Sequence, residues 1–294
     1  MSTKSFDVVV VGSSNLDLVA TVERLPRPGE TVLGSKYAEH PGGKGLNQAV
    51  AARRAGASVA FVTSLGSDAA GDLLHRVMVD EDITPLVHDS AHPTGRALIE
   101  VDAAAENSIV VVSGANADLG LAEVDRHRET LGNAGVVLCQ LEVPMAAVET
   151  AFAIAKAGGA TTILNPAPAA ELDRSLLSLC DIVMPNQHEV GLLGGADELL
   201  ACGVGAVVLT LGARGLRVVT GATQIDVPPF AVRAVDTTGA GDAACGALAA
   251  ALAAGHDLAV AARRAAAGGA LAATRHGAVP SLPTREEIDA LFGS

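Results

Sequence analysis

The run Asp236-Thr237-Thr238-Gly239-Ala240-Gly241-Asp242 has residue types that suit chemistry on an anion. An alanine-rich segment, residues 243–254, follows it directly, so the glycines are predicted to lie at a helix entrance. Unpaired N–H groups and the helix dipole favour an anion at such an entrance. Asp242 adds a carboxylate there, which could take a proton from a nucleophile or could simply complement the helix dipole.

A second glycine-rich stretch, Gly42-Gly43-Lys44-Gly45, opens a segment of helical character that continues through residue 55. Asn47 lies near the start of this segment. The stretch is not a Walker A loop, because Gly45 stands where that motif needs Ser or Thr for the metal. A glycine turn with a solvated lysine is the plain alternative to a binding loop.

Composition limits the functions that this chain can have. It has 294 residues, of which 49% are hydrophobic, so a large core is possible. The formal net charge of −13 argues against a general nucleic-acid or anionic-membrane binder, which would normally present a basic face. A phosphorylated ligand would need local compensation from a lysine, helix N-termini or a metal ion. With 2% aromatic residues, a sugar site would depend on hydrogen bonds rather than on aromatic platforms.

The cysteines and the chain ends indicate a soluble, cytoplasmic protein. The four cysteines are isolated, which is typical of small core residues rather than of a disulfide framework or a zinc site. Residues 1–7 lack the apolar core of a signal peptide. Arg263 and Arg264 interrupt the alanine-rich C-terminal region, which is therefore a poor transmembrane candidate.

The hydrophobic pattern predicts strands that alternate with helices. Strands are expected at residues 8–11, 59–63, 136–139, 162–164, 182–184 and 207–211, and helices at 69–79, 121–131, 145–157 and 189–200. This alternation favours a parallel sheet with helices on both faces. Residues 216–219 and 225–227 are expected to form an antiparallel edge pair, and helices should dominate from residue 241 onwards.

Two segments interrupt this alternation of strands and helices. Residues 18–39 are predicted to contain β structure and turns, and residues 97–101 and 109–112 resemble a hairpin outside the main sheet. The hairpin could be a lid, and together these segments could form a small separate sheet.

Polar side chains recur where the predicted strands end, and the carboxyl ends of parallel strands share one edge of a sheet. We therefore expect them to meet in one cleft; they are Asn15, Asp17, Glu142, Asn165, Asn186, Glu189, Thr210 to Gly212 and Asp242. Asn186 and Glu189, three residues apart at a helix start, could hold Mg²⁺ through its waters, and they could equally form a capping box.

The two glycine motifs, read as Gly42-Gly43-Lys44-Gly45-Leu46-Asn47-Gln48-Ala49 and Asp236 to Asp242, resemble the two signatures of the PfkB family of carbohydrate kinases. Its ribokinase branch is the most similar, on several further runs. These are Gly12-Ser13-Ser14-Asn15-Leu16-Asp17, Arg27-Pro28-Gly29-Glu30-Thr31, Leu164-Asn165-Pro166-Ala167-Pro168-Ala169 and Leu209-Thr210-Leu211-Gly212-Ala213-Arg214-Gly215. The likeness extends in order over essentially the whole chain.

The resemblance implies one three-layer α/β domain, residues 1–294, with a β-sheet lid at approximately 14–40 and 93–112. It also implies ATP-dependent phosphorylation of a sugar hydroxymethyl group, which in the ribokinase branch is O5 of D-ribose. Asp242 would be the catalytic base, and Gly239, Ala240 and Gly241 would form the anion hole. The residues that would hold the sugar are Asn15, Asp17, Gly43, Lys44, Gly45, Asn47, Glu142 and Asp242.

The same resemblance implies cofactor sites. Asn186 and Glu189 would support Mg²⁺ and the phosphates. The nucleotide would be lined by Thr210, Leu211, Gly212, Ala213, Arg214, Gly215, Gly241 and Ala266. An activating monovalent cation, usually K⁺, would be held mostly through backbone carbonyls of Asp236, Thr238, Ala272, Arg275, Gly277 and Ser281, with Arg275 offering its carbonyl rather than its guanidinium.

The chain also departs from the family pattern, and other functions stay open. Ala243-Ala244-Cys245 follows Asp242 where relatives often have larger residues, and Ala266 falls where relatives can have a polar residue beside adenine. The alternatives are a sibling kinase for 2-deoxyribose, fructose, a keto-deoxy sugar acid or a nucleoside, a non-catalytic sugar-sensing relative, and a generic nucleotide-binding protein. Pairing of lids between two subunits would make the protein a homodimer.

Overall fold

The computed structural model describes residues 4–104 and 106–293. Residues 1–3, part of the N-terminal stretch that lacks the apolar core of a signal peptide, lie outside the described residues. Its strands, in chain order, are β1 Phe6–Val11, β2 Asn15–Val22, β3 Gly34–Gly42, β4 Val59–Gly66, β5 Thr84–Ser90, β6 Gly95–Val101, β7 Asn107–Val112, β8 Ala134–Cys139, β9 Thr161–Leu164, β10 Ile182–Val183, β11 Ala206–Thr210, β12 Leu216–Thr220 and β13 Gln224–Val227.

The helices, in the same order, are α1 Lys44–Arg54, α2 Ala69–Asp80, α3 Leu121–Asp125, α4 Arg128–Gly132, α5 Met145–Gly158, α6 Arg174–Leu177, α7 Gln187–Leu192, α8 Ala196–Ala201, α9 Ala240–Ala253, α10 Leu258–Ala272 and α11 Arg285–Phe292. Short 3₁₀ turns lie at Gly114–Asp118, Gly212–Arg214 and Val279–Ser281. Within the described ranges, no helix is long and apolar enough to cross a membrane.

Nine strands form the central sheet in the order β13-β12-β11-β10-β9-β8-β1-β4-β5. The strands from β11 to β5 are parallel, and β12 and β13 add an antiparallel edge, as the sequence predicts. The chain leaves β1 for β4 and β5 on one side and later continues through β8 on the other. The point where the direction of the strand order reverses therefore lies between β1 and β8, and ligands bind at such points in open α/β sheets.

Strand β1 explains why the fold has three layers. Its last four residues are 0% exposed, and they alternate between two cores. Val8 and Val10 face the core that also holds α1, α9 and α10, while Val9 and Val11 face the core that holds α5. A continuous run of β-branched residues is what a strand covered on both faces needs, so the predicted three-layer α/β fold is confirmed.

A second sheet of four strands, ordered β3-β2-β6-β7, lies outside the central sheet. Strands β6 and β7 form the expected antiparallel pair, and β2 joins them in parallel to β6. The sheet starts beside the end of β1, because β2 begins at Asn15, only four residues after Val11.

Besides the one-turn helix α6, which was not expected, three elements differ from the sequence-based expectation. Strand β5 was not expected, because it is an edge strand that carries Pro85, His88 and Asp89 instead of an apolar run. The helix expected at 189–200 is divided into α7 and α8 by Gly194 and Gly195, whose φ angles are 82° and 97°. The helix expected at 121–131 is also two short helices, α3 and α4, and the structure offers no physical reason for that break.

Close contact between α1 and α9 places the two glycine motifs against each other. A Cβ added at Gly246 of α9 would lie 2.4 Å from the Ala51 side chain and 2.6 Å from the Ala52 nitrogen, both in α1. The helix backbones can approach this closely only because small residues face each other. The start of α1 and the start of α9 are thereby held together at one end of the sheet.

We predict that Gly246→Ala lowers the free energy of unfolding by about 1–3 kcal/mol, because overpacking must push α1 and α9 apart. Gly191→Ala is the matched control, since nothing lies within 4 Å of a Cβ at this helical glycine. That variant should be neutral or more stable by about 0.5–1 kcal/mol. Urea unfolding of both variants measures the difference, and equal stabilities would contradict the close-packing account.

Candidate active site

Asp242 lies in the first turn of α9 and is 8% exposed. Each of its oxygens accepts one side-chain amide from α1: Asn47 Nδ2 donates to Oδ2 at 2.9 Å, and Gln48 Nε2 donates to Oδ1 at 2.8 Å. A carboxylate that merely complemented a helix dipole would need no donors from another helix. The carboxylate is therefore fixed in place, with lone pairs left for a further donor.

The N-terminus of α9 offers free backbone donors beside this carboxylate. Gly239, with φ of 74°, precedes the helix, and Ala240 N–H donates to the Thr237 carbonyl at 3.2 Å. No acceptor within residues 4–104 and 106–293 pairs with the N–H groups of Gly241 and Asp242. Backbone donors are thus free at the helix start, where the anion hole is expected, while the Ala240 N–H is engaged in the turn.

Glu142 joins the loops that follow β1 and β8, across the point where the strand order reverses. Its Oε2 accepts the Ser13 hydroxyl at 2.5 Å and the Lys44 backbone N–H at 3.0 Å. Glu142 follows β8, Ser13 follows β1, and Lys44 opens α1. One carboxylate therefore fixes the start of α1 relative to two neighbouring strand ends, and it carries negative charge into the cleft.

The electrostatics of the cleft couple one lysine to several carboxylates. Burial alone would lower the pKa of Lys44, but the charges of Asp242, Glu142 and Glu189 outweigh it and raise that pKa. Lys44 is accordingly a fixed cation in an acidic protein. Burial, followed by the charges of Glu142 and Asp242, raises the pKa of Asp17 to about 7.

Asn15 lies at the junction of β1 and the small sheet, and its partner was not found from the sequence. Asn116 Nδ2 donates to Asn15 Oδ1 at 2.8 Å and to the Ser14 carbonyl. Asn116 Oδ1 accepts the Ser14 N–H. Because Asn15 Oδ1 is taken, its Nδ2 is the group left to donate to a ligand. The pair is separated by 101 residues, so no local pattern in the sequence indicates it.

Asn186 and Glu189 form a capping box at the start of α7. The Asn186 side chain accepts from the N–H of Glu189 at 2.8 Å, and Glu189 accepts the backbone N–H of Asn186 at 2.8 Å. Burial raises the pKa of Glu189. Both residues are therefore held in place by each other, in an arrangement that suits contacts to the waters of a hydrated metal ion. His188, between them in the sequence, is exposed.

A cavity of about 410 Å³ opens beside the start of α9. Of the residues expected to bind a nucleotide, Thr210, Gly212, Ala213, Gly215, Gly241 and Ala266 line it. Leu211 and Arg214 do not, and the Arg214 guanidinium instead donates to Gln187 Oε1. The rest of the wall is mostly alanine from α9, α10 and residues 229–234. The cavity can thus enclose an apolar ring system, with free N–H groups at one end.

The two segments expected to hold a monovalent cation meet in space. Asp236 Oδ1 accepts the Thr238 N–H at 2.9 Å, and its Oδ2 accepts the Gly277 N–H at 2.9 Å. Arg275 pairs its guanidinium with Glu287, so its positive charge is neutralised elsewhere. Ala272, the last residue of α10, and Ser281, in the 3₁₀ turn Val279–Ser281, are both buried. Among the described residues, no cluster of three or more His, Cys, Asp or Glu side chains could hold a metal.

We predict that Asp17→Asn stabilises the protein at about pH 8 and has little effect near pH 4. Between the unfolded pKa of 3.8 and the folded value of about 7, only the folded state keeps the proton, so unfolding becomes easier as pH rises through this window. The gain at about pH 8 should be roughly 1–3 kcal/mol, since Asp17 is partly exposed.

Urea unfolding at both pH values measures this gain. Asp226→Asn is the control, because Asp226 is exposed and paired with Arg217. A stability difference for Asp17→Asn that is the same at both pH values would contradict the raised pKa.

Known proteins are similar to this chain in both sequence and fold. The ribokinase of Haemophilus influenzae is 40% identical over 294 residues, covering 95% of this chain and 96% of that protein. A bifunctional ribokinase/ribose-5-phosphate isomerase A of Fructilactobacillus sanfranciscensis is 41% identical over 257 residues, and the match covers 82% of this chain but only 48% of that longer protein. The structure of Arabidopsis thaliana ribokinase complexed with ribose and ATP has a TM-score of 0.89 at 31% identity, covering 98% of this chain and 99% of that one.

The model of the pfkB family carbohydrate kinases matches residues 5–285. That range contains both glycine motifs, the buried Asp242 and the cavity beside it. The protein belongs to the pfkB family of carbohydrate kinases.

Proposed function

We propose that the protein is a ribokinase, which transfers the γ-phosphoryl group of ATP to O5 of D-ribose and releases ADP. The observation that carries the proposal is the buried Asp242 carboxylate, held by Asn47 and Gln48 beside free N–H groups at the start of α9. A base and an anion site within one helical turn are what hydroxyl-to-phosphate transfer requires. The curated ribokinase relative at 40% identity supports ribose as the acceptor.

In the proposed mechanism, Asp242 accepts the proton of the sugar hydroxyl as that oxygen attacks the γ-phosphorus. Its orientation is preset by the two α1 amides, so little rearrangement is needed on the way to the transition state. The N–H groups of Gly241 and Asp242, with Gly239 and Ala240 shaping the turn, would face the charge that develops on the transferred group. Lys44 would offset the remaining charge.

Magnesium fits the phosphate side of the site only in an indirect role. Glu189 and Asn186 occupy each other's hydrogen-bonding groups, which suits contacts to the waters of a hydrated ion. When bound with ATP, Mg²⁺ would supply positive charge against the phosphates, and Asn186 and Glu189 would hold it through its waters. The chain's own contribution would be to orient that hydration shell through the buried Glu189 carboxylate.

The sugar would lie between the start of α1 and the small sheet, held by Asn15, Asp17, Gly43, Lys44, Gly45, Asn47 and Glu142. Asn47 Oδ1 is buried and has no partner among the described residues. Because Asn47 Nδ2 is committed to Asp242, this Oδ1 is an acceptor ready for a sugar hydroxyl. The carboxylates of Asp17 and Glu142 likewise suit a hydroxyl-rich neutral sugar and would repel a sugar acid. Among sibling activities, 2-deoxyribose and fructose remain the acceptors to compare with ribose.

The small sheet would act as a lid over the sugar and as a dimer contact. Leu98 and its cross-strand partner Val110 are 46% and 57% exposed, and Val112, on the same face of β7 as Val110, is 53% exposed. An apolar strand face of this kind calls for cover. We propose that two copies pair through these sheets, with the reaction taking place in the cytoplasm, where ATP is plentiful. Sedimentation velocity at micromolar concentration should give a dimer, and a monomer would refute this assembly.

We also propose activation by potassium. Asp236 ties the loop before α9 to Gly277, so a cation bound to the carbonyls of these loops would act directly on the anion hole. Backbone carbonyls are ligands that K⁺ accepts. The proposed ligands are Asp236, Thr238, Ala272, Arg275, Gly277 and Ser281.

We predict that Asp242→Asn still binds ATP and ribose but lowers kcat by roughly two to four orders of magnitude, because only the base is lost. Calorimetry measures binding, and ADP release measures turnover. Asp197→Asn is the matched control, since Asp197 is an exposed aspartate in the first turn of α8. Near-normal turnover of Asp242→Asn, or an equal loss in both variants, would contradict the assignment.

Potassium should raise kcat severalfold over a large inert cation such as tetramethylammonium, and Asp236→Asn should remove most of that gain. The charge of Asp236 holds two backbone N–H groups, so its loss should loosen both loops. Asp226→Asn, on exposed β13, is the control. A wild-type rate that does not depend on potassium would refute the cation site.

A further inference from the structure

Two glutamines form a buried relay that ends on Asp242. Gln140 Nε2 donates to Gln48 Oε1 at 2.6 Å, and Gln48 Nε2 donates to Asp242 Oδ1 at 2.8 Å and to Asn165 Oδ1 at 3.0 Å. Gln48 and Gln140 are both 0% exposed. Each amide must therefore find its partners inside the protein.

The direction of the Gln48 amide is dictated by its neighbours. An ionised Asp242 can only accept hydrogen bonds. Asn165 donates through Nδ2 to the Met184 carbonyl at 3.0 Å, so its Oδ1 faces Gln48 as a second acceptor. Gln48 must present its NH₂ group to these two oxygens, which leaves Gln48 Oε1 on the opposite side in need of a donor.

Gln140 is the group that supplies this donor, although its own arrangement is unfavourable. Its Oε1 is buried and has no partner among the described residues. It lies where a side chain of Gly12 would be, since a Cβ there would come within 2.1 Å of Gln140 Oε1. A buried unpaired acceptor destabilises a fold. Because Gln140 contacts the residue that donates to the Asp242 carboxylate, this unpaired acceptor points to a role in the reaction rather than in stability.

We propose that Gln140 is a positioning residue for phosphoryl transfer, and that it acts on Asp242 through Gln48. Without the Gln140 donor, the Gln48 amide can turn over and present Oε1 to Asp242 and Asn165, where oxygen would face oxygen. The carboxylate would then lose one of its two fixed donors. Gln140 lies behind Gln48 and does not reach the substrates, so its loss should affect kcat and not KM. This inference rests on the proposed kinase function.

The first test is Gln140→Met, which keeps the side-chain length and removes the donor. We expect kcat to fall about threefold to tenfold, the usual value of one buried hydrogen bond, with the KM values for ribose and ATP unchanged. The thermal midpoint should change little, because the substitution removes one unpaired buried acceptor, Gln140 Oε1, and leaves another, Gln48 Oε1. In a Gln48→Met background, adding Gln140→Met should leave kcat unchanged, since the path to Asp242 is already broken.

The second test is Gln140→Glu, which keeps the shape and reports on the direction of the hydrogen bond. A neutral carboxyl can donate to Gln48 Oε1 and restore the relay, whereas an ionised one can only accept. Burial should raise the pKa of the introduced carboxyl. The ratio of its kcat to the wild-type kcat should therefore fall about tenfold as pH rises from about 6 to about 9.

This ratio removes the titration of groups that both proteins share. The ionisable groups around Asp242, on the elements that pack against it, are Asp17, Lys44, Glu142, Glu189 and Cys245. Any of them can shape the pH profile of each protein separately, but none differs between the two.

Several results would overturn the inference. Gln140→Met should not keep the wild-type kcat, and its KM should not rise in proportion to its loss of kcat. In the double variant, the losses of kcat caused by Gln48→Met and Gln140→Met should not multiply. For Gln140→Glu, the ratio of its kcat to the wild-type kcat should not be independent of pH. If Gln140→Met does not fold, the pH ratio of Gln140→Glu decides alone. A wild-type protein that phosphorylates no sugar would instead defeat the proposed function, which keeps the two failures distinct.

Discussion

A carboxylate buried at a helix start constrains the whole of this structure. Asp242 is 8% exposed, so its charge must be met by donors inside the protein. Those donors come from Asn47 and Gln48, which lie 195 and 194 residues away in sequence. The two helices can bring them together only because Gly246 lets α9 approach the backbone of α1 closely. The hydrogen bonds that hold the Asp242 carboxylate therefore depend on the packing of small residues between α1 and α9.

The same packing explains how an acidic protein can handle phosphates. The net charge is −13, and the carboxylates of Glu142 and Glu189 join Asp242 around the lysine of the cleft. The compensation is local: one lysine whose pKa is raised by those carboxylates, free N–H groups at the start of α9, and the family's use of a metal-bound nucleotide. The carboxylates then serve to fix loops, as Glu142 does for the start of α1, and to accept hydroxyl donors.

The sequence predicts much of this arrangement where the information is local. The buried strand at 8–11, the antiparallel edge at 216–227 and the helix at Asp242 follow from periodicity, glycine and composition. The strand ends indicate a shared cleft, since parallel strands end on the same edge. The amides that orient the site were not predicted: Asn116 on Asn15 and Gln140 on Gln48 connect residues 101 and 92 positions apart. The donor and acceptor in each of these bonds are set by neighbouring groups that can only accept hydrogen bonds, and those neighbours are known only from the three-dimensional structure. Edge strand β5 was missed for a different reason, because an exposed edge needs no apolar run.

The most direct measurement of the central claim is a crystal structure with D-ribose and a non-hydrolysable ATP analogue. The account predicts that the C5 hydroxyl oxygen lies within hydrogen-bonding distance, roughly 2.6–3.2 Å, of an Asp242 oxygen, while the Asn47 and Gln48 amides still donate to that carboxylate. A hydroxyl bound away from Asp242, or a carboxylate released from both amides when the substrates are in place, would contradict it.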